Sequence, residues 1–481
     1  MKRLALFLLL ISFLWTGAQA KVVLHHLIGD NMVLQQQTRA RVWGTAEPLR
    51  TVRITPSWSG KPYTVKADRD GRWEAFLDTP AAGMTPYEIT FSDGSAPVRI
   101  TNVLIGEVWV AGGQSNMEMP VRGFGNCPVE GYNDAVAESA AFPAIRYAKI
   151  PSVTSMVPLD DADTKWNVIS PETVPWTSAV GYFFARRLFL SLGIPVGIIE
   201  ANKGGTRVEG WLSKENLEAF TKEPLDQEGI ERVYPTEWHR PLVWGNGTFH
   251  PVLKYTVKGI LFYQGCSNVG TPGDLYSERL ALLVRQWREA FGLGDIPFHF
   301  VQICPFGGNG SEDEKSGTWV SLLQEQQFKA SRMIPNSGLV CTTDCVYPYE
   351  VTQIHPAQKR KVGERLAYLT LNRTYGMTSF GSESPSFREM EMKEGKVYVS
   401  FDHMEGGVNR MLDIRGFEVA GEDRVFHPAE ATVKGDRVCL SSPDVPEPVA
   451  VRYAFHNWPE ANFGNAMGLP LFPFRSDNWE R

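Results

Sequence analysis

Val108-Trp109-Val110-Ala111-Gly112-Gly113-Gln114-Ser115-Asn116-Met117 is an apolar run that stops at two glycines and then presents a serine. A short apolar run bounded by glycine reads as a buried strand, which leaves Ser115 just past its C-terminal end. The same grammar continues downstream. Ser178 is a suitable N-cap for a helix over residues 180–190, and a buried strand follows over 195–200. Further strands are expected over 259–263, 298–303 and 338–342. Helices are expected over 276–291, 318–333 and 357–371; in the first, Leu280, Leu283, Trp287 and Phe291 fall at helical spacing. Strand alternating with helix over 106–376 implies an α/β unit, a parallel sheet between helices. Ligands of such sheets sit at the C-terminal ends of the strands.

Both flanks read differently. Residues 21–105 hold short alternating runs at 41–43, 51–54, 73–77, 87–91 and 98–100, punctuated by Asp70-Gly71 and Asp93-Gly94. This is the pattern of a small antiparallel β-sandwich. Residues 377–481 return to short strands, at 396–401, 437–440 and 449–454, and are assigned to a C-terminal β domain packing on the α/β unit. A chain of 481 residues is too long for one ordinary core, in keeping with this division.

The first 20 residues are set apart as an export signal. Lys2 and Arg3 precede an apolar stretch over 4–15, and Ala18-Gln19-Ala20 fits small-x-small cleavage after Ala20. The expected location is therefore secreted or periplasmic. The apolar stretch is too short for a comfortable membrane span, and no later one is long enough. The net charge of -6 and the absence of a basic cluster argue against nucleic-acid binding. Six cysteines, all beyond residue 20, allow fifteen pairings, and the sequence does not choose among them. Their spacing matches no zinc pattern, so no metal is expected.

Four segments that follow predicted strands carry polar residues able to do chemistry. In Gly113-Gln114-Ser115-Asn116-Met117, a tight turn can expose the serine hydroxyl and point its N–H at a substrate oxyanion. In Gly204-Gly205-Thr206, glycine allows close approach and offers an unobstructed N–H. In Tyr263-Gln264-Gly265-Cys266-Ser267-Asn268, an asparagine amide can donate to an oxyanion, a role worth roughly 3–4 kcal/mol where used. Ile354-His355-Pro356 opens the last predicted helix, where the positive dipole end favours the neutral imidazole that a general base requires. Each is an ordinary loop taken singly. In this order, at strand ends of one α/β unit, they amount to a nucleophile, two oxyanion elements and a base.

This order resembles the block pattern of the SGNH hydrolases, whose catalytic domain is flavodoxin-like. More narrowly, the chain resembles the sialate O-acetylesterase family. The resemblance rests on Gly106-Glu107-Val108-Trp109 with the serine turn, Gly204-Gly205-Thr206 with Trp211, Tyr263-Gln264-Gly265, and Ile354-His355-Pro356 with Lys359. Asn31-Met32-Val33-Leu34-Gln35, Val451-Arg452-Tyr453, Gly468-Leu469-Pro470 and Pro473-Phe474-Arg475 extend it over nearly the whole mature chain. The resemblance implies that Ser115 attacks an acetyl carbonyl and His355 takes its proton. The N–H groups of Ser115 and Gly205 and the Asn268 side chain would hold the oxyanion, and no metal or organic cofactor would be needed. Gln114 and Asn116 would brace the turn, and these two, with Gln264 and Arg207, are candidates for contact with substrate.

The chain departs from that family at the acid. The Asp expected two residues before the histidine is Gln353, the position three before is Thr352, and Cys266 stands where relatives carry Glu. Losing a triad acid costs about ten-thousandfold in kcat, roughly 5.4 kcal/mol of barrier. Gln353 or a backbone carbonyl, Glu350 or Asp344 could orient His355 instead; a Ser-His dyad with a non-carboxylate partner is favoured. Cys266 as nucleophile would need a lowered thiol pKa, and no Lys or Arg lies near it in sequence.

The expected substrate is an O-acetylated carbohydrate, first a sialoside and alternatively acetylxylan or another plant glycan. Arg207 bears on the choice, because a guanidinium can pair the sialate carboxylate whereas neutral xylan needs none. A reading of another class is a carbohydrate-binding protein with weakened catalysis, motivated by the two missing acids. The 14 Trp and 15 Tyr are mostly core packing, with a few available to stack on sugar rings.

Overall fold

The computed structural model describes residues 22–270, 273–404 and 406–479. The expected export signal, residues 1–20, lies outside the described residues.

The strand Val98–Gly113, 16 residues long, organises the molecule. Its early part pairs antiparallel with Gly83–Ser92, and Leu104 to Gly106 pair in parallel with Val33–Gln35. Its later part takes Val196–Asn202 on one side and Gly259–Tyr263 on the other, both parallel. Phe298–Val301 and Ser337–Val340 continue the sheet beyond Gly259–Tyr263. Ile145–Lys149 extends the opposite side in parallel, and Trp166–Val168 closes that edge antiparallel. Neither of these two edge strands was expected from sequence. Counted from the serine-bearing strand, the five central strands run 2-1-3-4-5, the flavodoxin-like order. The chain leaves that strand toward one neighbour and later crosses to the other. The resulting crevice lies where Gly113 ends.

Alternation along the strands sorts side chains into two cores. Val108 and Val110 join a cluster with Ile199, Phe262, Leu283 and Trp287. Trp109 and Ala111 join another with Ile198, Leu261, Val180 and Leu366. The helices Tyr276–Phe291 and Trp319–Met333 thus cover one face, and Ala179–Leu192 and Lys359–Arg373 the other. Residues 108 to 111 are fully buried, as expected of parallel strands covered on both sides. The Ser178 hydroxyl caps its helix by accepting the Gly181 N–H at 3.0 Å.

The last helix starts at Lys359, two residues later than expected. Pro356 disfavours helical backbone at the residue before it, so His355 stays in the loop.

The N-terminal region packs a three-stranded sheet, Val23–Leu24, Arg39–Thr45 and Arg72–Asp78, against strands that belong to the large sheet. Its apolar side chains merge with the core of the α/β unit, and the expected boundary at 105/106 falls inside one continuous strand. The C-terminal region has two four-stranded sheets around its own core of Val397, Val399, Phe417, Val419, Val451 and Leu471. It docks on the helix Trp319–Met333. Arg475 donates to Glu325 at 2.8 and 3.0 Å, and the Val320 N–H donates to Asn457 at 2.8 Å. Among the described residues no helix is long and apolar enough to cross a membrane.

Candidate active site

The serine turn is built on a glycine that nothing else can replace. Gly113 has φ +133°, and a Cβ there would lie 2.2 Å from the Tyr263 carbonyl oxygen of the neighbouring strand. The Gln114 N–H donates to that same oxygen at 2.9 Å, and a four-residue helix, Ser115–Glu118, starts at the serine. Gly204 touches this turn: a Cβ on it would lie 3.2 Å from Ser115 Cβ, and its N–H donates to Glu118 Oε2 at 2.5 Å. Gly205 follows at φ +78°. The N–H groups of Ser115 and Gly205 make no hydrogen bond among the described residues.

His355 comes from 240 positions away in the chain, and its Nε2 lies 2.7 Å from Ser115 Oγ. The two loops are also tied below the pair. Asn116 Nδ2 donates to the Ile354 carbonyl at 3.0 Å, and Lys359 Nζ donates to Asn116 Oδ1 at 2.8 Å and to the Pro356 carbonyl at 2.7 Å. Burial, and secondarily the Lys359 ammonium, hold His355 down at about 4. Burial also pulls Lys359 down to about 8. The imidazole is therefore neutral at ordinary pH because of desolvation and a nearby cation. The helix dipole expected to do this belongs to a helix that begins four residues later.

The expected partners of His355 are placed otherwise. Asp344 is held bidentately by Arg365 at 2.6 and 2.8 Å, with Lys361 Nζ at 2.6 Å, so it does not reach the ring. A carboxylate that near two cations is already satisfied, which also explains why its pKa lies below the usual range. Glu350 accepts the Tyr347 N–H and the Ala357 N–H, each at 2.8 Å, and so pins both ends of the histidine loop without touching the imidazole. Gln353 Oε1 accepts the His355 backbone N–H at 3.0 Å. The polar partner of Nδ1 is one the sequence did not suggest, Cys127 Sγ at 3.8 Å.

Other expected contacts turn inward. Asn268 is fully buried, and its Nδ2 donates to the Glu209 carboxylate at 3.0 and 3.3 Å, not toward Ser115. Its Oδ1 accepts the Val208 N–H and Gln264 Nε2, both at 2.9 Å. Gln264 also donates to the Thr206 carbonyl at 2.9 Å. Both amides thus hold the loop that carries Gly205. Arg207 is buried as well. It donates to Glu223 at 3.1 and 3.2 Å and to the His239 carbonyl at 3.1 Å, and lies 4.6 Å from the Tyr234 ring centre. Glu209 is fully buried and Glu223 largely so, and both carboxylates need counter-charge that Arg207 and Arg279 supply. Arg207 is therefore not free to meet a substrate carboxylate. Asn116, 1% exposed, is likewise a tie between loops and not a substrate contact. Gln114 Oε1 accepts the Gly265 N–H at 2.8 Å, while its Nε2 has no partner among the described residues.

Burial pushes the Cys266 thiol up to about 12, which removes it as a nucleophile. All six cysteines are free thiols. Two aromatic residues that sequence reasoning missed border the site. Phe124 packs edge-on against His355 with ring centres 5.3 Å apart, and the half-exposed Trp238 lies directly on Gly205. No motif flags them, because each reaches the site from a loop with no strand before it. Among the described residues no group of three His, Cys, Asp or Glu could hold a metal ion.

Residues 105–372 match the family described as carbohydrate esterase, sialic acid-specific acetylesterase. The sialate O-acetylesterases of Homo sapiens and Pongo abelii are each 28% identical over 491 residues, spanning 95% of this chain and 92% of theirs. The crystal structure of a carbohydrate acetylesterase from Xanthomonas citri is 33% identical with a TM-score of 0.85, covering 95% of this chain and 100% of that one.

Proposed function

The chain belongs to the sialic acid-specific acetylesterase family of carbohydrate esterases and is a carboxylic ester hydrolase acting on O-acetylated carbohydrate, and we propose that it does so through an acetyl-enzyme formed on Ser115. The observation that carries this is the 2.7 Å contact between Ser115 Oγ and a desolvated His355 Nε2 at the sheet's switch point.

Ser115 Oγ attacks the acetyl carbonyl carbon while His355 Nε2 takes its proton. The tetrahedral oxyanion is met by the unengaged N–H groups of Ser115 and Gly205, with the free Gln114 Nε2 as third donor in place of Asn268. The imidazolium then gives its proton to the departing sugar oxygen. Water, deprotonated by the same nitrogen, attacks the acetyl-serine and releases acetate. The exposed Trp238 face beside Gly205 offers the sugar a stacking surface.

The curated relatives favour an O-acetylated sialate as substrate. A second reading, a neutral plant glycan such as acetylxylan, is favoured by one observation: Arg207 is spent on Glu223 and Glu209. Export through residues 1–20 completes the proposal and fits an extracellular or periplasmic glycan.

Acetate release from a small activated acetyl ester tests the mechanism. Ser115→Ala and His355→Ala should each lose about three orders of magnitude or more in kcat. A Ser115→Ala enzyme as active as wild type would sink the mechanism and return the chain to the class of binding proteins. Parallel assays on O-acetyl sialate and acetylated xylan choose the substrate. Inertness on the first with rapid release from the second ends the sialate reading.

A further inference from the structure

His355 needs its proton on Nδ1 if Nε2 is to accept from Ser115, and a triad secures this with a carboxylate against Nδ1. Here no carboxylate stands there among the described residues: Asp344 is held by Arg365 and Lys361, and Glu350 is spent on backbone. The position is filled by Cys127, 3% exposed, with Sγ 3.8 Å from Nδ1. That thiol is held from its other side. Gln353 Oε1 lies 3.3 Å from Sγ and Asn126 Oδ1 3.2 Å, so the S–H has acceptors and the sulfur lone pairs remain for Nδ1–H. Gln353 Oε1 also accepts the His355 N–H at 3.0 Å, closing a ring of contacts from imidazole to thiol to amide to the histidine's own backbone.

The loop that delivers the thiol is fixed for the purpose. Phe124 and Cys127 exchange backbone hydrogen bonds at 3.0 and 3.2 Å. Gly123 sits at φ +76°, with space for a Cβ denied by the Cys127 carbonyl oxygen 2.3 Å away. This turn places Phe124 against the imidazole and Cys127 at its Nδ1, so one loop grips the ring twice.

We infer that the Cys127 thiol is the positioning residue of the catalytic histidine, accepting the Nδ1–H where a triad would place a carboxylate. The inference rests on the Ser115–His355 mechanism. Burial pushes the thiol pKa up, so sulfur acts as a neutral acceptor. A neutral acceptor fixes tautomer and ring angle and leaves the imidazolium without a counter-charge.

The test compares wild type with Cys127→Val, which fills similar space without a polar atom, and Cys127→Ser, which keeps a hydroxyl. Two readouts are used: kcat and KM on an activated acetyl ester, and the ring-nitrogen NMR shifts of His355 in protein labelled with 15N-histidine. Wild type and Cys127→Ser should show Nδ1 protonated and Nε2 bare at neutral pH. Cys127→Val should show shifts averaged between tautomers, with kcat down about fivefold and KM nearly unchanged, the size of one lost neutral hydrogen bond. A Cys127→Val enzyme with wild-type kcat and an intact Nδ1–H tautomer would overturn the inference, as would a Cys127→Ser enzyme with averaged shifts. If the valine variant does not fold, an unprotonated Nδ1 in wild type overturns it equally. Failure of the Ser–His mechanism shows separately, as an active Ser115→Ala.

Discussion

At the scale of single residues, the site is governed by what each polar group is already bonded to. His355 is held at about 4 by burial first and Lys359 second. A general base works only when unprotonated, so kcat/KM should fall as pH drops through about 4 and stay level from there through neutrality. Lys359→Met removes the lesser cause, so the acid limb should move upward yet stop short of 6.5, the ordinary histidine value. Two pH–rate profiles check this. The amides separate by the same logic. Asn268→Ala takes from the buried Glu209 one of its donors, leaving Arg279, and frees the Gly205 loop, so it should lower the melting temperature together with activity. Gln114→Glu keeps an acceptor for the Gly265 N–H but replaces the free donor with an anion. It should cost about a hundredfold or more in kcat with little change in melting temperature.

Elements act by fixing where loops begin and end. The strand Val98–Gly113 must stop at a glycine, since a methyl at 113 meets the Tyr263 carbonyl oxygen at 2.2 Å. Gly113→Ala should therefore break the pairing beside the serine turn and give a protein with little soluble yield and no esterase activity. The histidine loop depends on Glu350 at both ends. Glu350→Gln retains one acceptor and turns an amide NH2 donor toward the other N–H. A loss of about 2 kcal/mol in urea denaturation, with reduced kcat, is expected. The strand ends were legible because alternation and glycine mark them locally. The start of the helix Lys359–Arg373 was misplaced by two residues because helical pattern does not mark where the first turn closes.

On the scale of the whole molecule, sequence pattern divides the chain at 105/106 and the structure does not. One strand crosses that point, and Val42, Ile54 and Phe91 share a core with Phe262 and Trp287. A fragment of residues 106–376 should consequently fail to fold, because it loses half of its central strand and exposes one side of its core. A chain ending near residue 384 should still melt cooperatively, since the C-terminal region keeps its own core and docks through a limited set of contacts, Arg475 with Glu325 and Phe472 on Phe328 among them. Thermal melts of the two fragments distinguish these cases. The charge network of Arg207, Glu209, Glu223 and Arg279 belongs to this scale too. Its members come from separate segments, so Arg207 looked available when read in its own loop alone.

The sequence by itself determined the α/β order, the placement of Ser115 at a strand end and of His355 ahead of the last helix, and the family. These depend on local periodicity and on glycines whose backbone role is fixed at their own position. Only the tertiary structure decided what surrounds the imidazole. Cys127, Phe124 and Trp238 approach from loops whose paths are set by packing, and a buried donor or acceptor bonds whatever folding brings within reach. That is why the missing acid could be read from residues 352 and 353, and the thiol standing in its place could not.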